Sequence, residues 1–115
     1  MKKPYATLRD YAMEFPEATE EFPWGHAAIK VKNKTFVFLS EEDGVFSMSA
    51  KLPNSRDMAL DLPFAEPTHY GLGKSGWVTA KFPKGEKPPV DLLKAWIEES
   101  YRAIAPKKLV KAHFG

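Results

Sequence analysis

The sequence predicts an α+β fold, a two-layer sandwich in which an antiparallel β-sheet carries helices packed on one face. Short segments of alternating polarity, joined by tight polar turns, lie in the middle of the chain. Segments with a helical period lie at both ends. The chain has 115 residues, of which 43% are hydrophobic, and this length suits one hydrophobic core.

The first helix is predicted over residues 5–15. Its apolar side chains fall on one stripe at helical spacing: Leu8, Tyr11, Ala12 and Phe15. Pro4 suits the first helical turn, and Pro16 ends the helix because a proline disfavours the helical conformation of the residue before it. Residues 17–21 follow as an acidic connector.

Three strands of an antiparallel meander are predicted next, at residues 26–32, 35–40 and 45–49. Their alternation and their β-branched and aromatic side chains are typical of half-buried strands. The turn Lys32-Asn33-Lys34 joins the first two strands, because Asn tolerates a positive φ. A second turn, at residues 41–44, joins the last two.

The second half of the chain mixes both periods. A short helix is predicted between Asn54 and Pro63. Residues 64–70 are predicted to be irregular or weakly extended, and residues 77–82 to form a strand. The last helix spans about residues 89–105 and carries an apolar stripe of Leu93, Trp96, Ile97, Tyr101 and Ile104.

One domain is expected over residues 1–108. Pro106 closes the last helix, and the residues after it are rich in lysine. Residues 109–115 are therefore expected to be a disordered basic C-terminal tail.

Composition excludes several classes of site. The chain contains no cysteine, which removes disulfides, thiolate nucleophiles, cysteine-ligated zinc and iron–sulfur clusters. The longest apolar run, residues 36–39, is far too short to cross a membrane. We expect a cytoplasmic monomer with no cofactor and no membrane association.

Positive charge is concentrated in two segments. Residues 27–40 contain three lysines and no acid, and residues 67–90 contain four lysines and one acid. A local basic patch, more than net charge, attracts a polyanion. The pattern therefore favours nucleic acid as a partner.

Several short motifs together resemble those of the MmcQ/YjbR family, and the similarity covers about residues 5–108. They are Phe15-Pro16-Glu17-Ala18-Thr19-Glu20, Phe22-Pro23-Trp24-Gly25, Lys34-Thr35-Phe36-Val37, Tyr70-Gly71-Leu72-Gly73, Gly76-Trp77-Val78, Ile97-Glu98-Glu99-Ser100-Tyr101-Arg102 and Ala105-Pro106-Lys107-Lys108. The resemblance implies a fold like that of bacterial frataxin (CyaY). It also implies DNA binding through a pair of β-hairpin wings, without a catalytic set.

The candidate nucleic-acid-binding residues are Lys30, Lys32, Lys34, Lys74, Trp77 and Lys81. If Ile29 and Val31 face the helices, Lys30 and Lys32 emerge on the open face of the sheet, and Lys34 lies at the tip of the hairpin. Lysines would attract phosphates and a flat indole would stack on a base or sugar, provided that the two basic strands are neighbours. Alternatively, the lysines only solvate an edge and Trp77 packs under a loop.

A second hypothesis is an adaptor module whose open sheet face receives a protein partner, with Trp77 as a hydrophobic anchor. An enzyme is not expected, because the histidines (His26, His69 and His113) match no ligand spacing and no acid is placed to orient them. The glycine-rich loop at residues 71–76 lacks the ending of a nucleotide-binding loop and precedes a strand.

Two further features bear on function. A group of carboxylates on and after the first helix has the ligand chemistry of a hard-cation site, but a solvated helix surface is the preferred interpretation: Asp10, Glu14, Glu17, Glu20 and Glu21. The chain has only three arginines, the usual readers of guanine edges: Arg9, Arg56 and Arg102. Binding to DNA would therefore be dominated by phosphates, with low sequence specificity.

Overall fold

The computed structural model describes residues 3–22, 26–69 and 71–115. The described elements, in chain order, are α1 (Pro4–Met13), β1 (Ala18–Glu21), β2 (Ala27–Val31), β3 (Lys34–Glu42), β4 (Val45–Lys51), α2 (Arg56–Leu60), β5 (Ala65–Pro67), a 3-10 helix (Leu72–Ser75), β6 (Trp77–Phe82), α3 (Val90–Ile104) and α4 (Lys107–Phe114). Within this part of the chain, no helix has both the length and the apolar character needed to cross a bilayer.

The strands form one sheet in the order β1-β2-β3-β4-β6-β5, and every neighbouring pair is antiparallel. Helices α1 and α3 pack against the sheet. The apolar residues of the strands alternate with polar ones, so that one face meets the helices and the other stays open. The predicted α+β sandwich with an antiparallel sheet is confirmed.

The core lies between the inner face of the sheet and the helices. Its largest fully buried side chains include Leu8 of α1, Ile29 of β2, Met48 of β4, and Leu93 and Ile97 of α3. These residues have the alternating or helical spacing seen in the sequence. The periodic apolar positions in the sequence are therefore the positions buried in the core.

Both edge strands lie in segments that were not predicted as regular strands. The predicted acidic connector at residues 17–21 contains β1, which pairs with β2 from Ala18 to Glu21. The segment predicted to be irregular or weakly extended contains β5, which pairs with β6. Short edge strands carry charged residues or proline, so that their local pattern is weak and their neighbour strand defines them.

The prediction of a disordered tail at residues 109–115 is wrong. Residues Lys107–Phe114 form α4, and the Phe114 ring lies 6.0 Å from the Phe15 ring and 6.2 Å from the Tyr101 ring. The Arg102 guanidinium lies over Phe114, 3.9 Å from the ring centre. These contacts cover the apolar side of the helix. They stabilise it, because a helix of this length would not be stable in isolation.

A serine of α3 forms hydrogen bonds to backbone groups at a bulge in the sheet. Pairing of β2 with β3 shifts register between Ile29 and Lys30, which leaves Phe36 as an extra residue in β3. The Ser100 Oγ, which is fully buried, donates a hydrogen bond to the Phe36 carbonyl oxygen at 2.5 Å. It also accepts one from the Lys51 backbone N–H at 2.9 Å.

Replacing this serine is expected to destabilise the fold. Ser100→Ala leaves a buried carbonyl and a buried N–H without their partner, and we expect the free energy of unfolding to fall by about 1–3 kcal/mol. Urea unfolding followed by circular dichroism measures the change. Ser47→Ala, at a half-buried position of β4, is the control and should change stability by less than about 0.5 kcal/mol. Equal effects of the two variants would contradict the role given to Ser100.

Candidate nucleic-acid interface

The open face of the sheet carries alternate residues of β4 and β6: Ser47, Ser49, Lys51, Trp77, Thr79 and Lys81. Its centre is a row of hydroxyls bonded to one another. The Ser49 Oγ lies 2.7 Å from the Thr79 Oγ1, and the Thr68 Oγ1 lies 2.9 Å from the same atom. This mutual bonding uses hydroxyls that a ligand would otherwise meet.

The two predicted basic strands are not neighbours. Lys30 lies on β2 and Lys81 on β6, and strands β3 and β4 separate them. Three strand spacings place β2 and β6 roughly 14 Å apart. The predicted surface, which required these strands to be adjacent, is therefore not formed.

Lys32 lies in a turn and not on the open face of a strand, which corrects its predicted position. Its φ is 50° and that of Asn33 is 67°. Two consecutive positive φ values are those of a type I′ hairpin turn. Lys34 is the first residue of β3, directly after this turn.

Three of the candidate lysines are engaged by carboxylates. The Nζ atom of Lys30 lies 3.1 Å from Glu21 Oε2, and that of Lys32 lies 2.6 Å from Glu17 Oε1. Each pair is partly exposed, so it contributes little to stability. Each also cancels a charge that the sequence assigned to phosphate binding.

The third pair joins β6 to the edge strand β5. The Lys81 Nζ lies 2.9 Å from Glu66 Oε1. The hydrogen bond from Lys81 lowers the pKa of the Glu66 carboxyl below its usual range, and the Lys81 and His69 charges add to this effect. Glu66 is therefore ionised at neutral pH and compensates the charge of Lys81.

Trp77 is buried. It lies on the open face with 7% of its surface exposed, and its ring centre is 5.5 Å from that of Phe38. An indole with this exposure presents no free face for a base to stack on. The same burial removes the hydrophobic anchor on which the adaptor hypothesis depended.

The glycine-rich turn has a structural explanation. Gly71 and Gly76 flank the 3-10 helix with φ of 79° and 92°, a backbone region that favours glycine. A Cβ at Gly73 would lie 2.9 Å from the Pro67 Cβ. These constraints explain the glycines without a phosphate. Tyr70 and residues 23–25, which belong to the motifs of the sequence resemblance, lie outside the described residues.

The carboxylates near α1 face cations of the chain itself. Arg9 of α1 binds Glu20 of β1, with its Nη2 2.6 Å from the Oε1, and its Nη1 lies 3.1 Å from Asp10 Oδ1. Glu17 and Glu21 pair with lysines, as described above. Among the residues that the structure describes, no three acidic or histidine side chains come together as a metal-binding group.

Positive charge instead collects at one end of the molecule. We call this surface the basic end and define it by Lys34, Lys51, Lys74, Lys107, Lys108 and Lys111. Lys51 is half-buried and the other five are exposed. In the described part of the chain, none of the six takes part in an ion pair.

Strand direction explains why these lysines lie at the same end of the molecule. β2 ends and β3 begins at this end of the sheet, because Val31 pairs with Lys34. β4 ends and β6 begins there too, because Lys51 pairs with Trp77. The hydrogen bond from the Lys51 N–H to the Ser100 Oγ places the C-terminal part of α3 at the same end, and α4 follows within a few residues.

Lys51 and the lysines of α4 are not among the binding residues predicted from the sequence. Lys51 follows the alternation of β4, so that its position on the open face could have been predicted. The α4 lysines occupy one side of a helix whose other side carries Leu109, Val110 and Phe114. That amphipathic pattern was a usable signal.

Acidic residues lie near both ends of the molecule. Glu14 and Glu17 lie beside the basic end, and Glu17 pairs with Lys32. The opposite end carries the β3–β4 turn with Glu41, Glu42 and Asp43. The basic end is therefore distinguished by lysines that form no ion pair among the described residues.

Comparison with known proteins supports the fold and assigns the family. A crystal structure of a structural-genomics target protein from Pseudomonas syringae superposes with a TM-score of 0.65 at 17% identity, covering 90% of this chain and 98% of that one. No curated protein matches. The YjbR family model matches residues 13–103, which include most of the motifs quoted above. The chain belongs to the YjbR family.

Proposed function

We propose that this protein is a non-enzymatic, cytoplasmic DNA-binding protein whose basic end contacts the phosphate backbone. The observation that carries the proposal is the collection of six lysines from four separate segments at one end of the fold. Lysine is a mobile point charge that suits phosphate oxygens. A cluster of such charges that form no ion pair among the described residues is the electrostatic footprint of a nucleic-acid-binding surface.

The candidate lysines contribute unequally to this proposal. Lys34 and Lys74 are exposed and belong to the basic end, so both keep their proposed role. Phosphate binding would first require breaking the ion pairs of Lys30, Lys32 and Lys81 with carboxylates. Because such exposed pairs are weak, phosphate can compete for them, but their contribution to affinity is reduced.

Sequence specificity is expected to be low because two of the three arginines are engaged and the Nε of the third is buried. Arg9 binds Glu20 and Asp10, and Arg102 lies over the Phe114 ring. The Nε atom of Arg56 is buried. Bidentate recognition of guanine edges requires a free guanidinium, so affinity would come from phosphates.

Support for a binding role without catalysis comes from the engagement of the hydroxyls. Ser49 and Thr68 bond to Thr79, Ser100 bonds to backbone groups, and Ser55 donates to Glu99. A hydroxyl nucleophile needs an adjacent base, and these hydroxyls serve structural bonds.

The test is a titration of fluorescent double-stranded DNA with the protein at two salt concentrations. If about four phosphates are contacted, affinity should fall about a hundredfold for a fourfold rise in salt. Duplexes of equal length and unrelated sequence should bind within a few-fold of one another. Absence of binding at low salt, or affinity insensitive to salt, would overturn the proposal.

A further inference from the structure

A shallow apolar groove lies between α2 and α3, away from the open face of the sheet. Its volume is about 260 Å³. It is lined by Ser55, Met58, Ala59, Leu62, Leu92, Ala95, Trp96 and Glu99. This volume is below the range of small-molecule pockets, so it fits side chains of a larger partner better than an enclosed ligand.

The two lips of the groove expose apolar side chains. Met58 of α2 is 72% exposed and Leu92 of α3 is 38% exposed. Among the described residues, the large hydrophobic side chains with such exposure are these two and Phe22. Two of the three thus meet at one groove, which is the arrangement expected of an interaction site.

Hydrogen bonds between the start of α2 and α3 fix the walls of the groove relative to each other. The Glu99 carboxylate of α3 accepts hydrogen bonds from the Asn54 N–H at 2.9 Å and the Ser55 N–H at 3.0 Å. It also accepts one from the Ser55 hydroxyl at 2.5 Å. These bonds join the start of α2 to α3, so a partner would meet a preformed surface and lose little free energy in ordering it.

The charges around the groove are predominantly acidic. Asp57 and Asp61 lie on either side of Met58 along α2, and Asp91 precedes Leu92 in α3. All three are exposed. Arg56 is the opposing charge at the start of α2, and its Nε is buried. The exposed rim therefore favours a cationic partner.

We infer that this groove binds a basic amphipathic helix of a partner protein, with apolar side chains between Met58 and Leu92 and Lys or Arg side chains facing the aspartates. Recognition of a helix in a groove uses apolar anchors at helical spacing, and the exposed apolar side chains on both sides of this groove suit such anchors. The unbranched Met58 side chain can adapt to the shape of the anchor. This inference is independent of the DNA-binding proposal.

The probe is a synthetic Leu/Lys amphipathic peptide of about 14 residues, near the mean length of protein helices. A Leu/Glu peptide with the same apolar pattern is its matched control. We expect saturable binding of the Leu/Lys peptide by fluorescence anisotropy and at least tenfold weaker binding of the Leu/Glu peptide. Peptide helicity should rise on binding.

Two double variants locate the site. Met58→Ser with Leu92→Ser, at exposed positions, should weaken binding of the Leu/Lys peptide at least tenfold without unfolding the protein. Asp61→Asn with Asp91→Asn should weaken it severalfold and reduce its salt dependence. Glu42→Gln with Asp43→Asn, which removes the same charge at remote exposed positions of the β3–β4 turn, should leave it unchanged.

Three results of the peptide titrations would overturn the inference. They are no binding of the Leu/Lys peptide, equal binding of both peptides, and equal weakening by the remote charge variant. Dimerisation of the free protein that disappears in the Met58→Ser, Leu92→Ser variant would also overturn it, by assigning the groove to a second copy of the chain. Thermal melts of each variant confirm that the fold is retained.

Discussion

Tyr101→Ala is expected to lower the free energy of unfolding by about 3–5 kcal/mol, as large-to-small changes of buried aromatic residues do. Tyr101 is fully buried. Its ring stacks on Phe15 with centres 4.7 Å apart and meets the edge of Phe36 at 5.2 Å. It also contacts Phe114 of α4. Removing it opens a cavity where α1, α3, α4 and the sheet meet.

A conservative change, Tyr101→Phe, distinguishes the contribution of the ring to stability from that of the hydroxyl. The Tyr101 OH donates to the Pro16 carbonyl oxygen at 2.9 Å, so Tyr101→Phe should cost about 1 kcal/mol. Chemical denaturation of the wild type and both variants measures the series. If Tyr101→Ala lowered stability by no more than Tyr101→Phe, the central packing role of the ring would be contradicted.

Lys34→Glu with Lys74→Glu is expected to weaken DNA binding by on the order of a hundredfold near 0.1 M salt. Each lysine that neutralises a phosphate contributes about tenfold under these conditions through counterion release. The slope of log K against log salt should decrease in magnitude by about two, one for each lost contact. Titrations of labelled duplex at several salt concentrations measure both quantities.

The chain offers a matched control for this change. Lys84 and Lys87 are exposed in the loop after β6, at the opposite end of the sheet. Lys84→Glu with Lys87→Glu changes the net charge equally and should alter affinity only severalfold. If both double variants weakened binding alike, affinity would depend on overall charge and the assignment to the basic end would fail.

Elements with a strong local period agree between sequence and structure. The predicted helix at 5–15 corresponds to α1, and the one at 89–105 to α3. The strands of the meander and β6 were also predicted within a few residues. Each of these segments buries one side, and burial imposes a period of two or 3.6 that a single sequence displays.

Elements that depend on a distant partner were missed. β1 is recognisable because Ala18 to Glu21 pair with β2, not because of its own alternation. α4 is stabilised by Phe114, which packs on the ring of Phe15 after α1 and on that of Tyr101 in α3. Neither partner is close in sequence, and local propensity alone is too weak to specify such segments.

The candidate site shows the same division. The sequence identified Lys34 and Lys74, which the structure leaves exposed. It could not show that Glu17, Glu21 and Glu66 engage the other three lysines, since these pairs form between different strands and turns. Nor could it reveal the burial of Trp77, which depends on contact with Phe38 across the sheet.

The sequence by itself determined the fold class, the tight turn at Lys32 and Asn33, and the basic character of two segments, because composition and periodicity are local properties. Its motifs also identified the family, by resemblance. The tertiary structure alone decided which charges are cancelled, which lysines share a surface and where an apolar groove stays open. Those properties depend on strand order and helix packing, which bring together residues far apart in the chain.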